Sequence, residues 1–148
     1  MFIAVDFDGT VVEQHGRAYD DVTTPLRLLP GARDGLQALK RAGHVLSLWS
    51  GRASPALLDD PMLDSLMRAG VRRISSTTWP EQQRINRARH KQMLDFVRRE
   101  LPGVFDAIDD GRGGKPSVDL FIDDKCLRYG ASNSWRQIAA SLGAAERK

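Results

Sequence analysis

Apolar residues fall along the chain in short runs that alternate with longer amphipathic stretches. Ile3-Ala4-Val5 is a run of the length that suits a buried central strand, and Gly9-Thr10 break it. Ala32, Leu36 and Leu39 recur at helical spacing after Pro30-Gly31, and Gly43 ends the pattern, predicting a helix over 32–42. His44 to Trp49 reads as the next strand. Ser54-Pro55 resembles a helix start, with a pattern through Leu57, Leu63 and Leu66 that Pro61 interrupts and Gly70 stops. Val71 to Ser75 is expected as a third strand. A long helix over about 81–101 should turn Met93, Leu94, Val97 and Leu101 inward. Leu120-Phe121-Ile122 is a further strand, and Ser134 with Gln137 forms a capping-box pattern for a last helix through Ile138 and Leu142. This alternation predicts an α/β, Rossmann-like three-layer sandwich with a mainly parallel central sheet.

Two of the predicted strands end in acids. Asp6 and Asp8 follow Ile3-Ala4-Val5, and Asp123-Asp124 follow Leu120-Phe121-Ile122. Carboxylates at the end of a core strand are costly to desolvate without a cation. Open α/β sheets bind ligands at the carboxyl ends of their strands. A hard divalent ion such as Mg²⁺ takes oxygen ligands and keeps several waters, so a few carboxylates suffice. The pattern points to metal-assisted chemistry on phosphate. Phe105-Asp106-Ala107-Ile108-Asp109-Asp110 is a similar but poorer run, whose two last acids are expected to open a glycine-rich loop.

Asp6-Phe7-Asp8-Gly9-Thr10-Val11 resembles the first motif of the haloacid dehalogenase (HAD) superfamily. Ser50, ending Val45-Leu46-Ser47-Leu48-Trp49, fits the second motif, and Asp123-Asp124 the fourth. The match is closest to small, cap-poor, phosphatase-like members. It implies Asp6 as a nucleophile that forms an aspartyl-phosphate, and Asp8 as the acid that protonates the leaving oxygen and later activates water. It implies Mg²⁺ held by Asp6, the backbone carbonyl of Asp8, and one or both of Asp123 and Asp124. Ser50 would donate to a phosphate oxygen, with Gly51 letting the backbone approach. Arg52 either adds a bidentate phosphate contact or lies on a solvated loop. Thr10 is a candidate for phosphate binding or for ordering the turn, and Gly9 for a backbone conformation that a Cβ would hinder. The third-motif lysine is expected at Lys115, with Lys91 as the rival. Lys115 reaches the site only if Pro116 to Val118 turn back from the carboxyl edge of the sheet.

With 148 residues, 41% hydrophobic and 28% charged, the chain is expected to be one domain over residues 1–148. The gaps at Val12 to Leu29 and Thr77 to Gln83 are too short to fold as a separate cap domain. The site should therefore be open, or covered by a neighbouring copy in a homo-oligomer. The single Cys126 suits a reducing cytoplasm, and no stretch reads as a signal peptide or a membrane span. The net charge of +3 favours anionic ligands in general. Basic residues concentrate at Arg84, Arg87, Arg89, His90, Lys91, Arg98 and Arg99, opposed only by Asp95, with His90 and His15 expected at the surface.

The leading expectation is a Mg²⁺-dependent phosphomonoesterase acting on a small phosphorylated substrate such as a nucleotide or a sugar phosphate. The alternatives are a polynucleotide-end (3′) phosphatase that uses the basic helix, and a catalytically silent binding domain.

Overall fold

The first apolar run forms β1 (Phe2–Val5) in the computed structural model, which describes residues 1–14, 16–18, 20–52, 61, 65, 79–108, 116–123 and 134–142. Ile3, Ala4 and Val5 are all fully enclosed. Successive strand residues point to opposite faces, so β1 is covered on both. It lies between β2 (Val45–Leu48) and β4 (Leu120–Ile122), and β3 (Ala107–Ile108) pairs with the outer side of β2. Every pairing in this β3-β2-β1-β4 sheet is parallel. Together with three described helices it makes an α/β, Rossmann-like fold. Among the described residues, no helix is long and apolar enough to cross a membrane.

Helix α1 (Ala32–Arg41) starts where Gly31 turns at φ 77° and ends before Gly43 at φ 85°, left-handed positions that favour glycine. Helix α2 (Trp79–Glu100) buries Ile85, Met93, Phe96 and Val97 and exposes Arg84, Arg87, Lys91 and Arg98. Helix α3 (Trp135–Ser141) opens on the expected capping box, with Ser134 accepting from the Gln137 backbone and the Gln137 side chain accepting from Ser134 N. The expected helix over 54–70 lies outside the described residues apart from positions 61 and 65, and the expected strand at Val71 to Ser75 lies wholly outside them.

The run at Ala107-Ile108 is a strand, paired Ser47 to Ala107 and Leu48 to Ile108. The Asp106 carboxylate accepts from Leu46 N at 2.8 Å and from Lys40 Nζ at 2.6 and 2.8 Å, joining β2 to α1. Those bonds hold its carboxyl below the usual range, the Lys40 bond first.

Trp135 is the largest fully enclosed side chain among the described residues. Its indole N–H donates to the Thr10 carbonyl at 3.0 Å, so α3 grips the turn that follows β1. It also lies against α1 at Gly35, where an added Cβ would stand 3.0 Å from two Trp135 atoms. Alanine at a helix position gains about 1 kcal/mol over glycine. Overpacking a core costs about 1–3 kcal/mol, and Trp135 is fully enclosed and held by its bond to Thr10. Overpacking wins. Gly35→Ala should lower the denaturation midpoint and Gly35→Val should lower it further, as urea titration followed by circular dichroism would show. A midpoint raised by Gly35→Ala would contradict this packing.

Candidate functional site

Two acid-tipped strands end side by side. Val5 pairs with Ile122, and Asp6 N donates to the Ile122 carbonyl at 2.9 Å. Asp6 and Asp123, the residues that follow, therefore stand at neighbouring tips of the same sheet edge, both half-buried. On the other flank, Trp49 N donates to the Val5 carbonyl at 2.9 Å, so Ser50 follows β2 at that edge. Phe7 turns into the core, and Val11 N and Val12 N both bond its carbonyl at 3.0 Å. Gly9, at φ 83°, closes this turn with a bond from its N–H to Val12 O.

Arg52 departs from both expectations held for it. Its side chain is only 4% exposed, so it does not lie on a solvated loop. Its donors are directed at Asp8 rather than left for a ligand: Nε to Oδ2 at 2.7 Å and Nη2 to Oδ1 at 2.6 Å. This two-point geometry is the guanidinium's particular match to a carboxylate. Nη1 donates to the Arg89 carbonyl at 3.0 Å and to Gln92 Oε1 at 3.1 Å, and the guanidinium lies 5.1 Å from the Phe7 ring centre. Gln92 in turn donates to the Val22 and Thr24 carbonyls at 3.2 Å each. One buried guanidinium thus ties the β1 turn to α2, and through Gln92 to the loop before α1.

The remaining expected residues divide. Ser50 Oγ accepts from Arg52 N at 3.2 Å, and a Cβ at Gly51 would meet open space. Thr10 is fully enclosed, its hydroxyl without a hydrogen-bond partner, so it belongs to the turn and offers no surface to a ligand. Lys91 is 77% exposed and paired with Asp95 on the outer side of α2. That position removes it as the phosphate lysine. Lys115, Asp124, Asp109 and Asp110 lie outside the described residues. Asp119 marks the opposite edge of the sheet, bonded to the Phe2 backbone at 2.7 and 2.9 Å.

His90 is buried, contrary to its expected surface position. Burial, helped by the nearby Arg52 charge and opposed by a bond to the Arg52 backbone, pushes its pKa below the ordinary 6.5. Arg89 was counted with the basic cluster and expected at no particular place in the site. Its place on the inner stripe with Ile85, Met93 and Phe96 is the signal that marks it. Arg89 Nη2 stands 3.7 Å from Asp8 Oδ2. A cavity of about 120 Å³ opens here, lined by Asp8, Gln14, Arg17, Ala18, Asp21, Arg52 and Arg89.

Among the described residues, no group of three or more His, Cys, Asp or Glu stands together as a metal site. The acids at the neighbouring strand tips, Asp6 and Asp123, nonetheless offer hard oxygen donors. Mg²⁺ completes such a set with water. The Asp8 side chain, held by Arg52, is not needed in it. The donors fit the ion.

No family model and no curated protein matches the chain. Among solved structures it is similar to a conserved protein coded by a locus from Bacteroides thetaiotaomicron, at 24% identity and a TM-score of 0.48. That alignment covers 99% of this chain and 93% of the other.

Two predictions concern the Arg52 network. Breaking a buried ion pair from one side costs about 3–5 kcal/mol. Arg52→Ala should fall near about 3 kcal/mol, the lower end of that range, because Arg89 stays beside Asp8. Asp8→Ala added to Arg52→Ala should recover part of the loss in chemical denaturation; full additivity would refute the coupling. His90 binds its proton less readily folded than unfolded. Its contribution is therefore complete above pH 6.5 and is lost as pH falls below that value. His90→Gln should flatten this part of the stability profile, and an unchanged slope between pH 5 and 6.5 would refute the assignment.

Proposed function

We propose that this chain is a Mg²⁺-dependent phosphomonoesterase of the HAD type, acting through an aspartyl-phosphate on Asp6. The observation that supports the reading most is the level pairing of Val5 with Ile122, which sets Asp6 beside Asp123 at one sheet edge. A cytoplasmic location and a homo-oligomer covering the site belong to the same reading.

In this reading the Asp6 carboxylate attacks phosphorus, and the bond from phosphorus to the ester oxygen breaks. Asp8 hands the departing oxygen a proton. It then takes one from the water that attacks the acyl-phosphate, which releases inorganic phosphate and restores Asp6. The proton Asp8 carries displaces the Arg52 bond at one carboxylate oxygen, while the bond at the other holds the group in place. Ser50 and the backbone at Gly51 would bind the phosphoryl oxygens, with Lys115 as the neighbouring cation. Mg²⁺, held by Asp6, the Asp8 carbonyl, Asp123 and Asp124, would supply neutralisation of the phosphoryl charge.

The outer face of α2 gives a nucleic-acid end no particular support. Arg84 lies 3.9 Å from Glu81, Arg98 lies 3.7 Å from Asp95, and Asp95 also receives Lys91.

A panel of nucleotides, sugar phosphates, other small phosphate esters and 3′-phosphorylated oligonucleotides should show phosphate release that depends on Mg²⁺. Asp6→Asn should abolish it with the fold intact. Asp8→Asn should slow it by about 10²–10⁴-fold, the usual size of a general acid–base contribution. If Asp6→Asn keeps more than about a tenth of wild-type turnover, Asp6 is not the nucleophile, since its loss should cost far more than a general acid's.

A further inference from the structure

We propose that Gln92 is a positioning residue for the Asp8 acid: it fastens the loop before α1 to the Arg52 guanidinium and so aims the Asp8 carboxylate at the departing oxygen. The inference rests on the hydrolase reading above, because it takes Asp8 as the group that hands that oxygen its proton. Gln92 acts through Arg52 and touches no reacting atom.

A guanidinium is planar and rigid, so fixing one edge of it fixes the other. At one edge, Arg52 Nε and Nη2 hold Asp8 Oδ2 and Oδ1 at 2.7 and 2.6 Å. At the other, Nη1 carries two N–H groups. They meet the Arg89 carbonyl at 3.0 Å and Gln92 Oε1 at 3.1 Å. Positions 89 and 92 are neighbours on one face of α2, which presents both acceptors to Arg52. The Arg89 carbonyl is fixed in the helix backbone. Gln92 Oε1 sits on a flexible side chain, so something else must hold it. The loop does, because Gln92 Nε2 donates to the Val22 and Thr24 carbonyls at 3.2 Å each.

The amide makes this link directional, since one of its ends accepts and the other donates. Turned over, its NH₂ would face the Arg52 donors and its oxygen the two carbonyls. Glutamate has no donor for the loop, and leucine has nothing for either side. The Gln92 side chain is half-buried, where hydrogen bonds are stronger than at an open surface. The loop it holds is also a wall of the site, for Gln14, Arg17, Ala18 and Asp21 stand with Asp8 and Arg52 around one cavity. Asp21 orders that loop from within, its Oδ1 accepting from Thr23 N at 3.0 Å and Thr24 N at 2.9 Å. A continuous path of hydrogen bonds therefore runs from Thr24 through Gln92 and Arg52 to Asp8.

An aimed acid matters most where the leaving oxygen needs a proton most. A nitrophenolate departs as a stable anion; an alkoxide does not. The ratio kcat/KM reports the steps up to release of the alcohol and omits hydrolysis of the acyl-phosphate, which both kinds of ester share. The test measures it for 4-nitrophenyl phosphate and for the best alkyl phosphate of the panel above, in the wild-type protein and in Gln92→Leu. A lost bond to a charged group corresponds to about ten- to a hundredfold. Gln92→Leu should therefore lower the alkyl value by at least about tenfold, in kcat rather than in KM, and the aryl value by less than about threefold. Both esters meet one protein preparation, so any loss of folded protein cancels between them. A merely structural role leaves the alkyl-to-aryl ratio at its wild-type value, and that result overturns the positioning role while the hydrolase reading stands. Gln92→Glu has the shape of glutamine and keeps the acceptor for Arg52 while losing both donors, so it carries the test if Gln92→Leu does not fold. It too should lower the ratio, and an unchanged ratio there overturns the part assigned to the loop. Release of phosphate from no ester of the panel overturns the hydrolase reading and this role together.

Discussion

The register of three parallel strands is the constraint on which the rest depends. β1 is held to β4 at both ends: Phe2 N and Asp119 bond at one, Asp6 N and Ile122 O at the other. It is held to β2 in the same way, through Val45 N to Met1 O and Trp49 N to Val5 O. A slip of one residue would turn every side chain of a strand to the opposite face. Leu46 and Leu48 of β2 are enclosed while Ser47 between them is only half-buried, so such a slip in β2 would expose core and bury a polar group. Core packing thereby fixes where Asp6, Ser50 and Asp123 emerge. The geometry of the edge is a by-product of burying aliphatic side chains.

A second level of order comes from charge. Arg52 is buried because Asp8 neutralises it, and Asp8 is aimed because Arg52 is rigid and forked. An exposed ion pair contributes little, because water competes for both partners. Here Phe7, Arg89 and Gln92 surround the guanidinium. Gln92 then carries the connection to Val22 and Thr24, in the loop that lines the cavity. Movement of that loop is therefore coupled to the orientation of Asp8 through a single polar chain.

Much of the fold was legible in the sequence because local signals agreed with global packing. Gly31 and Gly43 bracket α1 where the periodicity placed it, and the Ser134–Gln137 box opens α3. The acid-tipped strands were legible for the same reason, as an apolar run interrupted by groups that cannot be buried alone. What escaped was set by contacts distant in sequence. Nothing local tells Arg52 that Asp8, 44 residues earlier, will take both its donors. The cluster on α2 was read by charge density, which favours a solvated stripe. Helical period separates it instead into an outer set with Arg84 and Lys91 and an inner set with Arg89 and His90. Ala107-Ile108 was too short and too exposed to declare itself a strand, and it forms by pairing with β2 while Asp106 bonds Leu46 and Lys40.

The loop before α1 shows how a short connection can shape a site without being a domain. Residues 13–27 lack the length for a core of their own. They gain order from elsewhere: Glu13 N bonds Arg27 O, Leu29 N bonds Val11 O, and Leu26 is buried in the core cluster. Asp21 is the internal fastening. The Thr24 and Thr23 donors on its carboxylate hold its pKa well below the ordinary value, the Thr24 side chain first. The group therefore stays ionised at neutral pH, and the fastening holds there. Arg17 and Gln14 are thus presented to the cavity from a loop whose ends are tied to β1 and whose middle is tied to α2.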